Sequence, residues 1–320
     1  MPAIQMHSVP KSNKMKVYSN MEKLELWQLR QRQGLPLEIK EQYTARRIKN
    51  WYEHFNGKVY VAFSGGKDST VLLHQVRKLF PEVPAVFSDT GMEYPEIREF
   101  VKSIDNTVVV RPKITFNKVI EIYGYPVISK KVSRSIRDLQ KETKRNVNVC
   151  NLYRTGYTQD GNYCPSRKLA KKWFILVNAP FKCSEQCCDV IKKQPMKEYE
   201  KKTGQSPFLG TMADDSKMRE KSYLASGCNV YNLKENISTP MGFWREDDVW
   251  AYISKHNIPY SGIYDMGEKR TGCMFCMFGI HLEKGENRFQ RMLKSHPKQY
   301  YYCIYSLGLG KVLDYIGVPY

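Results

Sequence analysis

No run of apolar side chains in this sequence approaches the roughly 18 residues that a membrane-spanning helix requires. Acidic residues are scarce beside basic ones, 32 Asp plus Glu against 51 Lys plus Arg, which leaves a formal charge of +19. Residues 1–16 are basic but have no apolar centre, so they do not read as a secretory signal. Internal repeats and low-complexity linkers are missing too. These absences argue against a bilayer-spanning helix, an exported precursor and a repeat array, and they make a cytoplasmic protein the expectation.

What is present suffices for a core. The chain has 320 residues, 42% hydrophobic and 12% aromatic, too many large apolar groups for a disordered chain. Nine cysteines without an export signal are not expected to form a disulfide framework. The positive charge concentrates at residues 130–131, 134–145, 167–172 and 192–202. Such a field attracts polyanions, so nucleic acid or a phosphorylated small molecule is the expected partner, with a merely solvated surface as the plain alternative.

The pattern predicts a helical amino-terminal extension (1–56), broken at Gly34-Leu35-Pro36. Residues 58–63 (KVYVAF) read as a buried strand, followed by a helix over 69–80. Strands at 84–88 and 107–110 alternate with helices at 94–103 and 115–123. That alternation implies a doubly wound α/β fold with a mainly parallel sheet and helices on both faces. A nucleotide-binding domain is expected over 57–280. A basic insertion at about 125–180 interrupts it, read as an excursion or lid beside the active face. A strand at 207–210 and helices at 214–225 and 245–256 complete the domain, and a tyrosine-rich helical extension covers 281–320.

Ser64-Gly65-Gly66-Lys67-Asp68-Ser69 falls between a strand and a helix. Two glycines let backbone N–H groups turn toward an anion, and the helix adds its positive end. Lys67 supplies a charge, Ser64 and Ser69 supply hydroxyls, and Asp68 suits either a helix cap or Mg²⁺. The string resembles the PP-loop of the adenine nucleotide alpha hydrolases, which implies ATP binding with cleavage between the α and β phosphates. Residues 86–96 (VFSDTGMEYPE) resemble the second nucleotide motif of the phosphoadenosine phosphosulfate (PAPS) reductase family. That resemblance extends to residues 209–212 with Arg219 and to residues 240–264, and so spans about 60–279. It implies nucleotide contacts from Asp89 and Thr90, at the carboxyl edge of the sheet where open parallel sheets bind ligands, and from Arg111 and Gly210.

Cys273-Met274-Phe275-Cys276 is a C-x-x-C, and Cys187-Cys188 is a vicinal pair that cannot bridge to each other without strain. Four sulfurs from two segments could hold zinc or a [4Fe–4S] cluster, although buried cysteine is also common packing material. The apolar neighbours Met274, Phe275, Met277 and Phe278 favour a shielded cluster, with zinc as the alternative. The arrangement also resembles the cluster ligation of adenosine phosphosulfate (APS) reductases, which implies Cys187, Cys188, Cys273 and Cys276 as ligands. Cys183 is close enough in sequence to substitute or to carry sulfur. Cys150, Cys164, Cys228 and Cys303 are expected to be packing residues.

Two departures bear on the reaction. The loop keeps the lysine and aspartate of ATP-cleaving relatives, and the Glu-Cys-Gly-Leu-His string of sulfonucleotide reductases does not occur. The leading expectation is adenylation of an acceptor, with Lys67, Asp68 and Ser69 as the catalytic candidates, followed by sulfur transfer. The charge suggests a nucleic-acid acceptor such as tRNA or DNA. Alternatives are reduction of PAPS or APS to sulfite, an ATP sulfurylase-like adenylyltransferase, and a nucleotide-dependent nucleic-acid-binding module without turnover. A sulfur-donor protein would accompany the leading reading, and an electron-donor protein the reductase. Asp214-Asp215 read as a Mg²⁺ site or a helix cap, His74 as a packed residue, His281 as a neighbour of the metal site, and the late tyrosines as base-stacking or core residues.

Overall fold

The computed structural model describes residues 23–231 and 236–320. The basic stretch 1–16 and the start of the amino-terminal extension lie outside the described residues. β1 (Val59–Ala62), β2 (Ala85–Ser88) and β3 (Thr107–Val110) are the β-branched and aromatic stretches read from the sequence, residue types that fill a pleated, buried layer. β4 (Val127–Ile128) leaves this layer, and β5 (Ser206–Leu209), β6 (Asn229–Val230) and β7 (Ile237–Ser238) return to it. The sheet order is β3-β2-β1-β5-β7-β6, parallel throughout except for β6, which runs antiparallel to β7. The last two strands escaped the sequence reading because two residues carry no alternation.

Helices cover both faces. α1 (Leu26–Gln33) and α2 (Leu37–His54) precede β1, α3 (Lys67–Leu79) follows it, and α4 (Pro95–Lys102) and α5 (Phe116–Tyr123) follow β2 and β3. α6 (Lys130–Gln140) and α7 (Val147–Thr155) are the α-helices of the basic insertion, while α8 (Gln194–Thr203), α9 (Lys217–Ser226) and α10 (Glu246–His256) complete the layers. Successive strand residues face opposite sides. Tyr60 accordingly donates to Glu200 of α8 at 2.8 Å, while Val61 and its partner Phe208 face the other side, where the Trp51 ring of α2 lies 6.4 Å from Phe208.

The connection from β1 runs to β2 on one side, while β5 inserts on the other. The sheet therefore reverses its winding between β1 and β5, and the crevice at that switch point is where open sheets take ligands. Residues 64–69 leave β1 at this point.

The carboxyl-terminal segment is helical, with α11 (Arg288–Ser295), α12 (Pro297–Tyr301) and α13 (Leu309–Tyr315) around a π-turn at Tyr302–Ser306. β8 (Met277–Phe278) pairs in parallel with β4, so the insertion is fastened directly behind the C-x-x-C. No helix among the described residues is long and apolar enough to cross a membrane.

One buried ion pair fastens α2 to α10. Lys40 is 2% exposed, and its ammonium donates to both carboxylate oxygens of Asp248 at 2.7 and 2.6 Å and to the Gln33 carbonyl at 2.8 Å. Removing one partner of a buried pair strands the other. Lys40→Met is therefore expected to lower stability by about 3 kcal/mol in urea denaturation. Beside it, His74 Nδ1 lies 3.0 Å from the Tyr252 hydroxyl, and burial, with His256 and Lys78 nearby, draws its pKa below the ordinary value despite Glu41. The unfolded chain therefore takes up this proton first. Stability should hold above about pH 6.5 and decline below it, and this acid slope should be shallower in His74→Gln.

Candidate functional site

The loop after β1 closes on itself through its own hydroxyls. Ser69 Oγ donates to the Gly66 carbonyl at 2.9 Å and accepts from the Ser64 N–H at 3.2 Å, and the Gly66 N–H donates to Ser64 Oγ at 3.3 Å. Ser69, read from the sequence as a phosphate donor, is here a staple of the loop. Gly65 has φ 73°, and a Cβ there would stand 2.9 Å from Ile97 and from Val101, so only glycine serves. Gly210 ends β5 against the same turn, where a Cβ would fall 3.0 Å from the Asp68 carbonyl and the Ser69 nitrogen.

Lys67 is nearly buried, and its ammonium meets Asp68 at 3.1 Å and Glu246 at 3.3 Å. Burial works to lower its pKa, but the two carboxylates outweigh it and hold the charge firmly. The Asp68 carboxyl is pushed up by burial, with Lys67 opposing. A polyphosphate entering here would exchange these internal partners for its own oxygens.

The cover over the loop comes from residues 264–271. The Lys67 N–H donates to the Tyr264 hydroxyl at 2.8 Å, and a Cβ on Gly66 would meet Thr271 Oγ1 at 2.6 Å. The basic insertion lies behind the C-x-x-C, because β4 is paired with β8 there. At the ends of β2 and β3, Asp89 binds Arg98 at 3.1 Å and Arg111 at 3.2 Å. Arg111 remains 73% exposed and so keeps donors free for a ligand. Thr90 donates from its hydroxyl to Glu93 at 2.6 Å, and its N–H donates to the same carboxylate at 3.0 Å.

Cys187, Cys188, Cys273 and Cys276 line one small pocket together with Met92, Phe116, Phe275 and Phe278. Met274 and Met277, expected in its wall, are buried but do not line it. The C-x-x-C is tied to the end of β2 by the Met274 N–H, which donates to the Met92 carbonyl at 2.9 Å. Burial pushes the Cys273 thiol up to about 11, with Cys276 and Glu93 adding and Lys192 opposing. Burial likewise raises Cys187, reinforced by Cys273, Cys188 and Cys276. Among the described residues, no set of three or more His, Cys, Asp or Glu side chains is already gathered about one metal position. The donor set nevertheless suits a thiophilic centre: four thiols from two segments, walled by phenylalanines and methionine.

The model of the phosphoadenosine phosphosulfate reductase domain matches residues 58–132 and 163–278. The chain belongs to this family. The match omits residues 133–162, within the basic insertion, and everything after Phe278. An uncharacterised protein of Methanocaldococcus jannaschii, MJ0973, is 26% identical over 259 residues, covering 78% of this chain and 48% of that protein. A second, MJ0066 of the same organism, is 26% identical over 281 residues, covering 86% of this chain and 47% of that protein. The chain thus spans about half the length of these curated relatives. An adenosine 5'-phosphosulfate reductase of Staphylococcus haemolyticus is 24% identical over 238 residues, covering 72% of this chain and 76% of that enzyme. Among solved structures, PAPS reductase from Candida auris in its phosphate complex aligns with TM-score 0.42 and 15% identity, covering 75% of this chain and 96% of that one. The U34-tRNA thiolase NcsA of Methanococcus maripaludis, with its [4Fe-4S] cluster, aligns with TM-score 0.35 and 14% identity, covering 87% of this chain and 80% of that one.

In this PAPS reductase-family chain, several residues at the site escaped the sequence reading. Lys192 donates to Cys273, and Cys273, Glu93 and Cys188 together hold it protonated against the contrary pull of burial. Its spacing, one helical turn beyond Cys188, was the available signal. Glu246 and Tyr264 fell within the family-like stretch 240–264 without a role of their own, and Thr271 had no signal, since only the fold brings these residues onto the loop. Other candidates are accounted for locally. Cys183 is buried with its N–H on Gln140, away from the cysteine pocket. Asp215 caps the Met212 N–H at 2.9 Å and pairs with Arg219. His281 stands edge-on to Trp173.

Tyr264 competes for the amide that a phosphate oxygen would accept from. Tyr264→Phe is expected to tighten ATP binding about fivefold, the value of one hydrogen bond, while Gly65→Ala should abolish it. Isothermal titration calorimetry reads both.

Proposed function

We propose that this chain binds ATP on the loop at residues 64–69, adenylates an acceptor and supports transfer of sulfur to it, with a [4Fe–4S] cluster on Cys187, Cys188, Cys273 and Cys276. One observation carries the reading. Thr271 lies on Gly66 of the phosphate loop, and Cys273, two residues on, lines the four-cysteine pocket. Nucleotide chemistry and sulfur chemistry thus share one strand of chain.

An acceptor oxygen attacks the α phosphorus of ATP, the bond to the β-phosphate oxygen breaks, and pyrophosphate leaves. Sulfide-level sulfur from a donor then displaces AMP from the activated centre. Lys67 and the loop amides neutralise the charge that shifts onto pyrophosphate, Asp68 is placed to hold Mg²⁺, and Arg111 orients the nucleotide from the next strand end. When bound by all four thiolates, the cluster would have no open iron, and it would supply a redox-active and structural centre beside the nucleotide. Lys192 orients Cys273 and offsets thiolate charge in the pocket. The nucleic-acid character of the acceptor rests on the +19 charge.

Reduction of APS or PAPS is the second reading, favoured by the named reductases among the relatives. It needs an accessible nucleophilic thiol. Cys303 does not meet that need: it is buried, its thiol donates to the Tyr300 carbonyl at 3.3 Å, and burial pushes it up to about 12.

Anaerobically purified protein should contain about four iron and four sulfide per chain, with visible absorbance that dithionite bleaches. Cys276→Ser should lose most of that iron, whereas a colourless zinc protein would contradict the cluster. Pyrophosphate–ATP exchange should be present in the native chain and fall about 100-fold or more in Lys67→Ala. Sulfite release from PAPS or APS with a dithiol donor, and no exchange, would favour the reductase instead.

A further inference from the structure

Four tyrosines crowd residues 300–305, and the fold separates them. Tyr300 is buried, whereas Tyr301, Tyr302 and Tyr305 are 54%, 49% and 70% exposed. Three large aromatics in water within five residues are not core material. The π-turn at Tyr302–Ser306 brings Tyr301 and Tyr305 into a nearly parallel pair, centroids 5.9 Å apart and planes 16° apart. The Tyr302 ring lies 6.1 Å from Phe275, the same ring that walls the cysteine pocket.

Beside this aromatic row lies a cavity of ≈ 760 Å³, within the size range of ligand-binding sites. One wall comes from α4 and the end of β2, including Arg98 and Lys102; the other comes from Lys298, Gln299 and Tyr302. Met274 and Phe275 separate it from the four cysteines. Its charges are mixed: Arg98, Lys102 and Lys298 share the lining with Glu93 and Glu99, and Arg98 is paired with Asp89. The second wall lies beyond the residues matched by the family domain.

We propose that this cavity and the Tyr301–Tyr305 pair form a docking site for single-stranded nucleic acid, which presents one nucleotide unit of the acceptor beside Phe275. Aromatic faces stack on unpaired bases without regard to sequence, and lysines take the phosphates between them. A folded protein partner could bury these rings as well, and then no oligonucleotide would bind in the test below. The inference rests on the reading of a nucleic-acid acceptor and assigns its place.

The test is fluorescence anisotropy with labelled 15-nucleotide single-stranded RNA and DNA and with duplex DNA, over a range of salt, on the intact chain. Single strands should bind more tightly than duplex. Tyr305→Ala should weaken binding about tenfold, and Lys298→Glu should reduce the slope of log K against log salt by about one. Lys201→Glu, the same charge change on α8, should cost far less, and melting curves should show all variants folded. Equal losses for Lys201→Glu and Lys298→Glu would assign binding to the diffuse field and overturn the site. Retained affinity in Tyr305→Ala and Tyr302→Ala together would do the same. ATP binding by the unaltered chain is measured in parallel. If ATP binds and no oligonucleotide does, docking fails while the phosphate loop stands; if single strands bind and ATP does not, the phosphate-loop reading fails.

Discussion

Everything at this site depends on how closely the end of β5 and the segment 264–273 press on the turn after β1. Gly65, Gly66 and Gly210 make that approach possible, because a Cβ at any of them would stand at or below 3.0 Å from a neighbouring atom. The turn lies where the sheet reverses its winding, so a ligand held there meets strand ends from both sides, Asp89 and Arg111 on one and Gly210 on the other. A loop of this composition on a flat surface would be a mere glycine turn. At the switch point it lies among strand ends, with its Ser64, Gly66 and Lys67 amides engaged by Ser69, Ser64 and Tyr264.

The same closeness brings the two candidate sites onto one segment. Residues 264–273 cover the loop after β1 with Tyr264 and Thr271 and then place Cys273 in the four-cysteine pocket. Behind the pocket, β8 is paired to β4 and Arg288 donates to the Cys276 carbonyl at 3.0 Å. The insertion and the carboxyl-terminal helices thus brace the cysteines from outside.

The basic charge divides in the same way. Part of it is structural: Arg134 and Arg137 of α6 both bind Glu185 at 3.0 and 2.7 Å, so the insertion is less of a polyanion track than its sequence suggests. Lysines beside exposed aromatic rings, as at α12, remain free to meet solvent anions. Charge counted along the chain cannot separate these two uses, because pairing depends on which carboxylate the fold brings near.

Much of the architecture was legible beforehand because it is written in local terms. Runs such as VYVA and TVVV, a glycine-rich turn with a following amphipathic helix, and a break at Gly34-Leu35-Pro36 each act through near neighbours. The glycine-rich loop and the grouped cysteines stood out for the same reason, as short strings of fixed spacing, and their roles are the proposals made above. The tertiary structure alone decided that the insertion sits behind the C-x-x-C and not over the loop, that Ser69 closes the loop, and that Tyr264 occupies the Lys67 amide. It also turned Tyr300 inward while leaving its three neighbours in water. Each of these pairs residues far apart in the chain, or sorts residues of one type by burial, and no local pattern specifies either.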